Sequence, residues 1–250
     1  MREETLYLWL SVAMLCAAVA VLVLLFFISA PYGRHRRGGW GPQLSNKLSW
    51  IIMESPSALG MASLFVLGGG WRSIPCIIFF LMWEAHYLHR AFIYPLMLRD
   101  GAMPASVIAM GFVFNLANAY LNGRGVFTLG TYSLSWLIDP RFILGLAVFI
   151  CGFAINRWAD EKLRLLREPG EKEYKIPYGG LYEYVSCPNY LGEIIEWTGW
   201  AIATWSLGGA VFAFWTLANL LPRAVSHHRW YREHFEDYPK GRKAIVPRIL

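Results

Sequence analysis

Leu6 to Ala30 is a run of 25 residues without a charge, and six further apolar runs follow it, near 48–68, 74–97, 104–121, 142–159, 188–204 and 207–222. About 20 apolar residues suffice for a helix to cross the hydrocarbon core of a bilayer. Inside that core the backbone must satisfy its own hydrogen bonds, which selects helices over open strands. At 56% hydrophobic residues the chain is also more apolar than a soluble domain of 250 residues. The fold class expected is therefore all-α, a multi-pass membrane protein with seven transmembrane helices. The first run is too long for the apolar region of a secretory signal. Arg2-Glu3-Glu4 before it has no net positive charge, so a retained helix is expected.

Basic residues set the orientation. Arg34, Arg36, Arg37 and Lys47 follow the first run, and Arg99 follows the third. Lys162, Arg164, Arg167, Lys172 and Lys175 follow the fifth, and seven more lie in the tail from Arg223 to Arg248. Together these are 17 of the 23 Lys and Arg, against Arg2, Arg72, Arg124 and Arg141 opposite. Cytoplasmic loops carry that excess, which places the C-terminus in the cytosol and the N-terminus outside, as an odd number of crossings requires. The net charge of +6 is then mostly a matter of topology and of attraction to anionic lipid. Nothing in the chain points to nucleic acid or to a protein partner. Cys16, Cys76, Cys151 and Cys187 form no CxxC pair and read as small hydrophobes. With no repeat, linker or low-complexity stretch, residues 1–250 are expected to form one domain.

Against this background the polar residues stand out. Asn156, Asp160, Arg164 and Arg167 follow one another at steps of four, four and three, and Asn189, Glu193 and Glu196 at steps of four and three, so each set shares a helix face. Ionisable groups beside a membrane are costly and mark functional sites by default. Glu54 lies in the apolar run Trp50 to Leu59 next to Pro56, where a carboxyl would stay neutral and could donate a hydrogen bond. Its alternative is a helix-to-helix hydrogen bond. Tyr87, Arg90 and Tyr94 line one face of the third run, with His86 four residues before Arg90. On its own Tyr87 reads first as an aromatic packing residue, and its hydroxyl as a donor to a carbonyl second.

The basic loop before Ile176-Pro177-Tyr178-Gly179-Gly180, with Arg223, His227 and Tyr231 at steps of four in the tail, has the charge to grip phosphates. A solvated basic loop is the plainer alternative. No strand followed by GxGxxG occurs, and Gly68-Gly69-Gly70 is a turn, so a dinucleotide would bind among helices. Six histidines, one of them isolated at His35, are too few and too scattered for a di-iron oxygenase. No metal is expected.

Several motifs carry a family likeness. They include Glu54-Ser55-Pro56-Ser57, His86-Tyr87-Leu88-His89-Arg90, Leu166-Arg167-Glu168-Pro169-Gly170-Glu171 and Gly179-Gly180-Leu181-Tyr182. Asn189-Tyr190-Leu191-Gly192-Glu193, Glu196-Trp197 and the tail Phe235-Glu236-Asp237-Tyr238-Pro239-Lys240 complete the set. Over residues 50 to 250 the chain resembles the steroid 5α-reductases, membrane enzymes that use NADPH to saturate the C4=C5 bond of 3-oxo-Δ4 steroids. The resemblance implies that Glu54 and Tyr87 are catalytic, stabilising the enolate that forms when hydride reaches C5. It implies that NADPH is held by Arg90, Arg99, Asn156, Asp160, Arg164, Arg167, Tyr174, Asn189, Glu193, Arg223, His227 and Tyr231. Helices one to four would form the substrate side, and helices five to seven with their cytosolic loops and tail the cofactor side. The membrane would be that of the endoplasmic reticulum in a eukaryote or the cell membrane in a bacterium.

Two positions depart from the pattern. Met53 stands where the animal enzymes commonly carry Gln, and Gly101 where a second basic residue would follow Arg99. Another lipid enone or a polyprenol-like acceptor is the alternative substrate. An isoprenylcysteine-type methyltransferase using S-adenosylmethionine and a non-catalytic sterol-binding protein are the alternative classes. A methyltransferase would leave Glu54 and Tyr87 without a task, and a sterol binder would not need the polar residues from Asn156 to Glu196.

Overall fold

The computed structural model describes residues 3–168, 171 and 173–250; Lys172 of the basic loop and Pro169-Gly170 of the family motif lie outside the described residues. The chain folds into α1 (Glu3–Phe27), α2 (Asn46–Leu67), α3 (Ile74–Leu88), α4 (Tyr94–Met97), α5 (Ala105–Arg124), α6 (Pro140–Leu165), α7 (Pro188–Thr204) and α8 (Leu207–His234). A five-residue π turn, His89–Ile93, joins α3 to α4 without a break, and another, Gly125–Leu129, extends α5. Each apolar run of the sequence thus maps onto a helix or a continuous helical segment.

Four helical segments are long and apolar enough by themselves to cross a membrane: Glu3–Phe27, Asn46–Leu67, Ala105–Leu129 and Pro140–Leu165. The remaining three are more polar or shorter for identifiable reasons. The α3–α4 segment is interrupted by its π turn around Arg90, α7 has 17 residues and carries Glu193 and Glu196, and the last turns of α8 carry Arg229, Arg232 and three histidines.

One short ladder departs from an all-helical fold. Strands β1 (Gln43–Ser45) and β2 (Ala102–Pro104) pair antiparallel, with Leu44 opposite Met103. The ladder ties the entrances of α2 and α5 together, and Asn46 N–H continues it by donating to Gly101 O at 2.9 Å.

Helix starts follow their sequence signals. Asp139 Oδ1 accepts from Arg141 N at 2.9 Å ahead of Pro140, and Ser206 Oγ accepts from Gly209 N at 3.1 Å ahead of α8. The closest helix pair is α6 with α7. A Cβ on Gly152 would run into the backbone of Glu196, and one on Gly192 into the backbone of Asn156. Close approach of that kind is how small residues replace the hydrophobic effect in helix association within lipid. It also merges the polar face of α6 with that of α7. The main core, built on Phe79, Trp83, Tyr87, Phe149, Trp197, Trp200 and Phe212, lies beside that polar seam.

Candidate active site

A cavity of about 580 Å³ lies among all eight helices and the loop after α1, a size suited to a small organic ligand. Its ends differ in chemistry. Met53, Val107, Met110, Phe114, Phe212 and Trp215 wall one part, while Arg34, His35, Asp160, Glu193, Arg223 and His227 line another. Phe212 and Arg223 both belong to α8, and eleven residues of helix separate them by about 16 Å.

Glu54 faces this cavity from α2. Pro56 has no N–H to give Ile52, whose carbonyl instead accepts the Ser55 hydroxyl at 3.5 Å. Asn115 of α5 crosses to α2, its Nδ2 donating to Met53 O at 2.7 Å and to Glu54 Oε2 at 3.2 Å. Ser57 Oγ donates to Asn115 Oδ1 at 2.7 Å, which fixes which way the Asn115 amide points. Trp83 Nε1 in turn donates to Ser57 O at 3.1 Å. The carboxyl therefore ends a chain of uncharged hydrogen bonds. Tyr87 is buried in the cavity wall, stacked on Trp83 with ring centroids 4.8 Å apart and tilted against Trp197 at 5.6 Å.

One turn beyond Tyr87, the π turn carries Arg90. Such turns often sit at functional sites because the extra residue re-aims a side chain. Arg90 Nη1 donates to Asp160 Oδ2 at 3.2 Å, Nη2 lies 3.9 Å from Glu193 Oε2, and the guanidinium covers the Trp50 ring at 4.5 Å and the Tyr94 ring at 5.0 Å. Asn189 Nδ2 donates to Asp160 Oδ1 at 2.9 Å, while Asn156 Nδ2 donates to Asn189 O at 3.0 Å and to Glu193 Oε2 at 3.5 Å. Arg90, Asp160, Asn189 and Glu193 line the cavity; Asn156 stands behind them and holds them.

The cationic end joins the first loop to the last helix. Arg223 Nη2 donates to Tyr190 OH at 3.2 Å, Tyr190 OH meets His227 Nε2 at 3.1 Å, and His227 Nδ1 meets His35 Nε2 at 3.2 Å. Burial, with Arg34 and Arg223 adding to it, pushes both imidazoles below their usual range, His227 well below. Arg34 sits in an aromatic box of Tyr174, Trp230 and Tyr231, 5.1, 4.8 and 4.5 Å from their rings. Its Nη2 donates to Tyr231 OH at 3.3 Å, but Nη1 is buried without a partner among the described residues. A buried guanidinium nitrogen left so is a donor waiting for an acceptor.

Of the residues singled out from sequence, the cavity brings together Glu54, His86, Tyr87, Arg90, Tyr94, Asp160, Tyr174, Asn189, Glu193, Arg223 and His227. The others lie behind it or apart. Tyr231 is buried behind Arg34 and stacked on Tyr238 at 5.2 Å, and Arg167 covers the outer side of Tyr174 at 4.7 Å. Arg99 donates to the carbonyls of Arg167, Glu168 and Glu171, the last two at 2.6 and 3.2 Å, and so shapes the loop. Arg164 pairs with Glu161 on the surface of α6. Arg34, His35, Asn115 and Tyr190 complete the site without having been singled out. An Asn inside an apolar run was a legible hint for Asn115, whereas the folding of Arg34 and His35 onto α8, some 190 residues away, left no mark in any local pattern.

These features define a helical membrane protein with a cavity that runs from an apolar pocket with hydrogen-bonding groups to a cationic, aromatic-lined end. The model of 3-oxo-5-alpha-steroid 4-dehydrogenase matches residues 101–250. The steroid 5-alpha-reductase DET2 of Gossypium hirsutum is 42% identical over 99% of this chain and 98% of its own. The 3-oxo-5-alpha-steroid 4-dehydrogenase 1 of Bos taurus is 41% identical over 94% of each chain, and the 3-oxo-5-alpha-steroid 4-dehydrogenase 2 of Sus scrofa 43% identical over 94% and 93%. The chain belongs to this family of steroid 5-alpha-reductases.

Proposed function

We propose that the protein saturates the C4=C5 bond of a 3-oxo-Δ4 steroid with NADPH as reductant. The observation that carries this reading is one cavity holding Glu54 and Tyr87 beside an apolar pocket and the unpartnered Arg34 nitrogen at its cationic end. A rigid lipid with one polar oxygen suits the first part. A dinucleotide suits the second, where Arg34 and Arg223 offer charge for phosphates, Asp160, Asn189 and Glu193 offer partners for ribose hydroxyls or the carboxamide, and Tyr32, Tyr174 and Tyr190 offer ring surfaces.

When bound, NADPH supplies a hydride to C5. The protein's part is to hold the negative charge that then collects on the C3 oxygen. Asn115 Nδ2 already occupies Glu54 Oε2, so a neutral Glu54 carries its hydrogen on Oε1 and can give it to the C3 oxygen together with the Tyr87 hydroxyl. Donors aimed where charge develops each account for about 100- to 1,000-fold in rate. Met53 stands in place of Gln, and its side chain packs against Gly111.

Residues 1–250 act as one domain, with α1 to α5 forming the substrate side and α6 to α8 with their loops and tail the cofactor side. All seven helical segments cross the bilayer, the tail lies in the cytosol with the cofactor, and the N-terminus lies outside. The membrane is the endoplasmic reticulum in a eukaryotic cell or the cell membrane in a bacterial one.

The test is direct. Detergent-purified protein should be thermally stabilised by NADPH and not by S-adenosylmethionine, and should consume the enone of progesterone or testosterone. Stabilisation without turnover of any steroid enone would redirect the search to another lipid acceptor, and stabilisation by neither cofactor would end the reading.

A further inference from the structure

Resting on that reading, we infer that His86 is a third catalytic residue, the acid that protonates C4, and that Glu196 is its positioning residue. His86 lines the same cavity as Glu54 and Tyr87 and follows one place before Tyr87, their rings 5.0 Å apart and edge to face. Its Nδ1 lies 2.8 Å from Glu196 Oε1, with His86 5% and Glu196 0% exposed. Because the carboxylate accepts, the Nδ1 hydrogen belongs to that bond and the ring is held in one orientation. Trp197 packs edge-on against the same ring at 4.8 Å. Nε2 has no partner among the described residues. It is the polar atom that this buried ring has left for the cavity.

The pair is not explained by packing. Glu196 Oε2 is buried with no partner among the described residues, so His86 is the group that makes a carboxylate tolerable there. Breaking a buried pair by removing one partner costs far more than an apolar pair in its place would. A stability role alone would be served better by two hydrophobic residues. The charged groups facing His86 are Glu193 and Glu196 of α7 and Arg90 of the π turn, and the neutral Glu54 of α2 is the further titratable group near it. Glu196, held against Nδ1, is the carboxylate that stabilises the ring when its second nitrogen also carries a proton.

The reaction also needs such a group. Hydride transfer makes the C5–H bond and moves the C4=C5 electron pair toward the C3 oxygen, where the hydrogens of Glu54 and Tyr87 are engaged. Collapse of the enolate re-forms C3=O and directs an electron pair to C4. The Nε2–H bond of His86 breaks, C4–H forms, and the neutral imidazole, still bonded to Glu196 through Nδ1, recovers a proton from water. One steroid double bond is reduced, one NADPH is oxidised, and one proton is taken from solvent.

The experiment compares His86→Asn and Glu196→Gln with wild type, measuring NADPH binding, steady-state turnover of progesterone, and the configuration of deuterium at C4 of product formed in D2O. Wild type should place deuterium at C4 in one configuration. His86→Asn should bind NADPH as wild type does, turn over roughly 100-fold more slowly as loss of a general acid predicts, and give mixed configuration at C4 with C5 unaffected. A merely structural role would not scramble C4. If His86→Asn fails to bind NADPH, Glu196→Gln decides. Keeping the ring but losing the charge behind it, that variant should lower kcat about tenfold or more with KM little changed, following the logic of a carboxylate behind a catalytic histidine. Wild-type turnover with single-configuration label in His86→Asn, or wild-type kcat in Glu196→Gln, overturns the assignment. Failure of wild type to reduce any enone would instead remove the functional reading itself.

Discussion

The two ends of the cavity solve opposite problems. Around Glu54 every partner is uncharged, from Trp83 through Ser57 and Asn115 to the carboxyl itself, so the hydrogen bonds fix a direction without fixing a charge. Around Arg34 and Arg223 the hydrogen-bond partners are phenols, neither guanidinium forms an ion pair with a carboxylate among the described residues, and one nitrogen has no acceptor among them. Preorganised neutral donors favour charge that appears during a reaction. Uncompensated cations favour charge that arrives with a ligand. Arg90 marks the border, since Asp160 and Glu193 already balance it.

That contrast can be broken by experiment. The largest effect should come from Glu54→Ala and Tyr87→Phe, each lowering turnover of a 3-oxo-Δ4 steroid by roughly 100-fold or more while NADPH binding stays near wild type. Glu54→Gln should retain part of the activity because an amide still donates. Near-normal turnover in both Glu54→Ala and Tyr87→Phe would dissolve the distinction between the two ends.

At the cationic end, Arg34→Met and Arg223→Met should each weaken NADPH binding about tenfold or more, the range for hydrogen bonds to charged groups, with little change in turnover at saturation. A titration showing equal affinity would move the phosphate site elsewhere. A smaller, few-fold effect follows from the two histidines. His35 and His227 are held neutral by burial and by Arg34 and Arg223, and a bound polyanion would raise both again. Protons are then taken up on binding, so NADPH affinity should rise as pH falls from 7.5 to about 5.5. Affinity that is flat or falling over that range would mean that phosphate does not approach this pair. Arg164→Ala should have the smallest effect, leaving affinity unchanged, because its pairing with Glu161 points it along the surface of α6.

Regular repetition made part of this site legible. Asn156 and Asp160 sit four residues apart, as do Asn189 and Glu193, and helix geometry alone puts each couple on one face. That the two faces meet depended on Gly152 and Gly192, whose missing side chains admit backbone contact, and single glycines in apolar runs do not announce their partners. The apolar runs placed the helices well, yet the π turn at His89–Ile93 escaped, because its cause lies in what Arg90 meets across the bundle and not in its neighbours. Arg34 looked like one more topological charge. Its role as a donor at the cavity became visible only with Tyr174, Trp230 and Tyr231 around it.

The contact between His35 and His227 has a consequence for how the protein comes into being. Residues near the two ends of the chain close one pocket, so the first loop is made long before the helix that receives it. During synthesis Arg34 must wait without its partners, while α2 through α7 are made, until α8 emerges and covers it. Under the proposed reading, a ribosome that stalls, or a message cut short before residue 223, leaves a chain with most of its helices and no cofactor pocket. On that same reading, translation of α8 is what turns an inserted chain into one able to bind its cofactor.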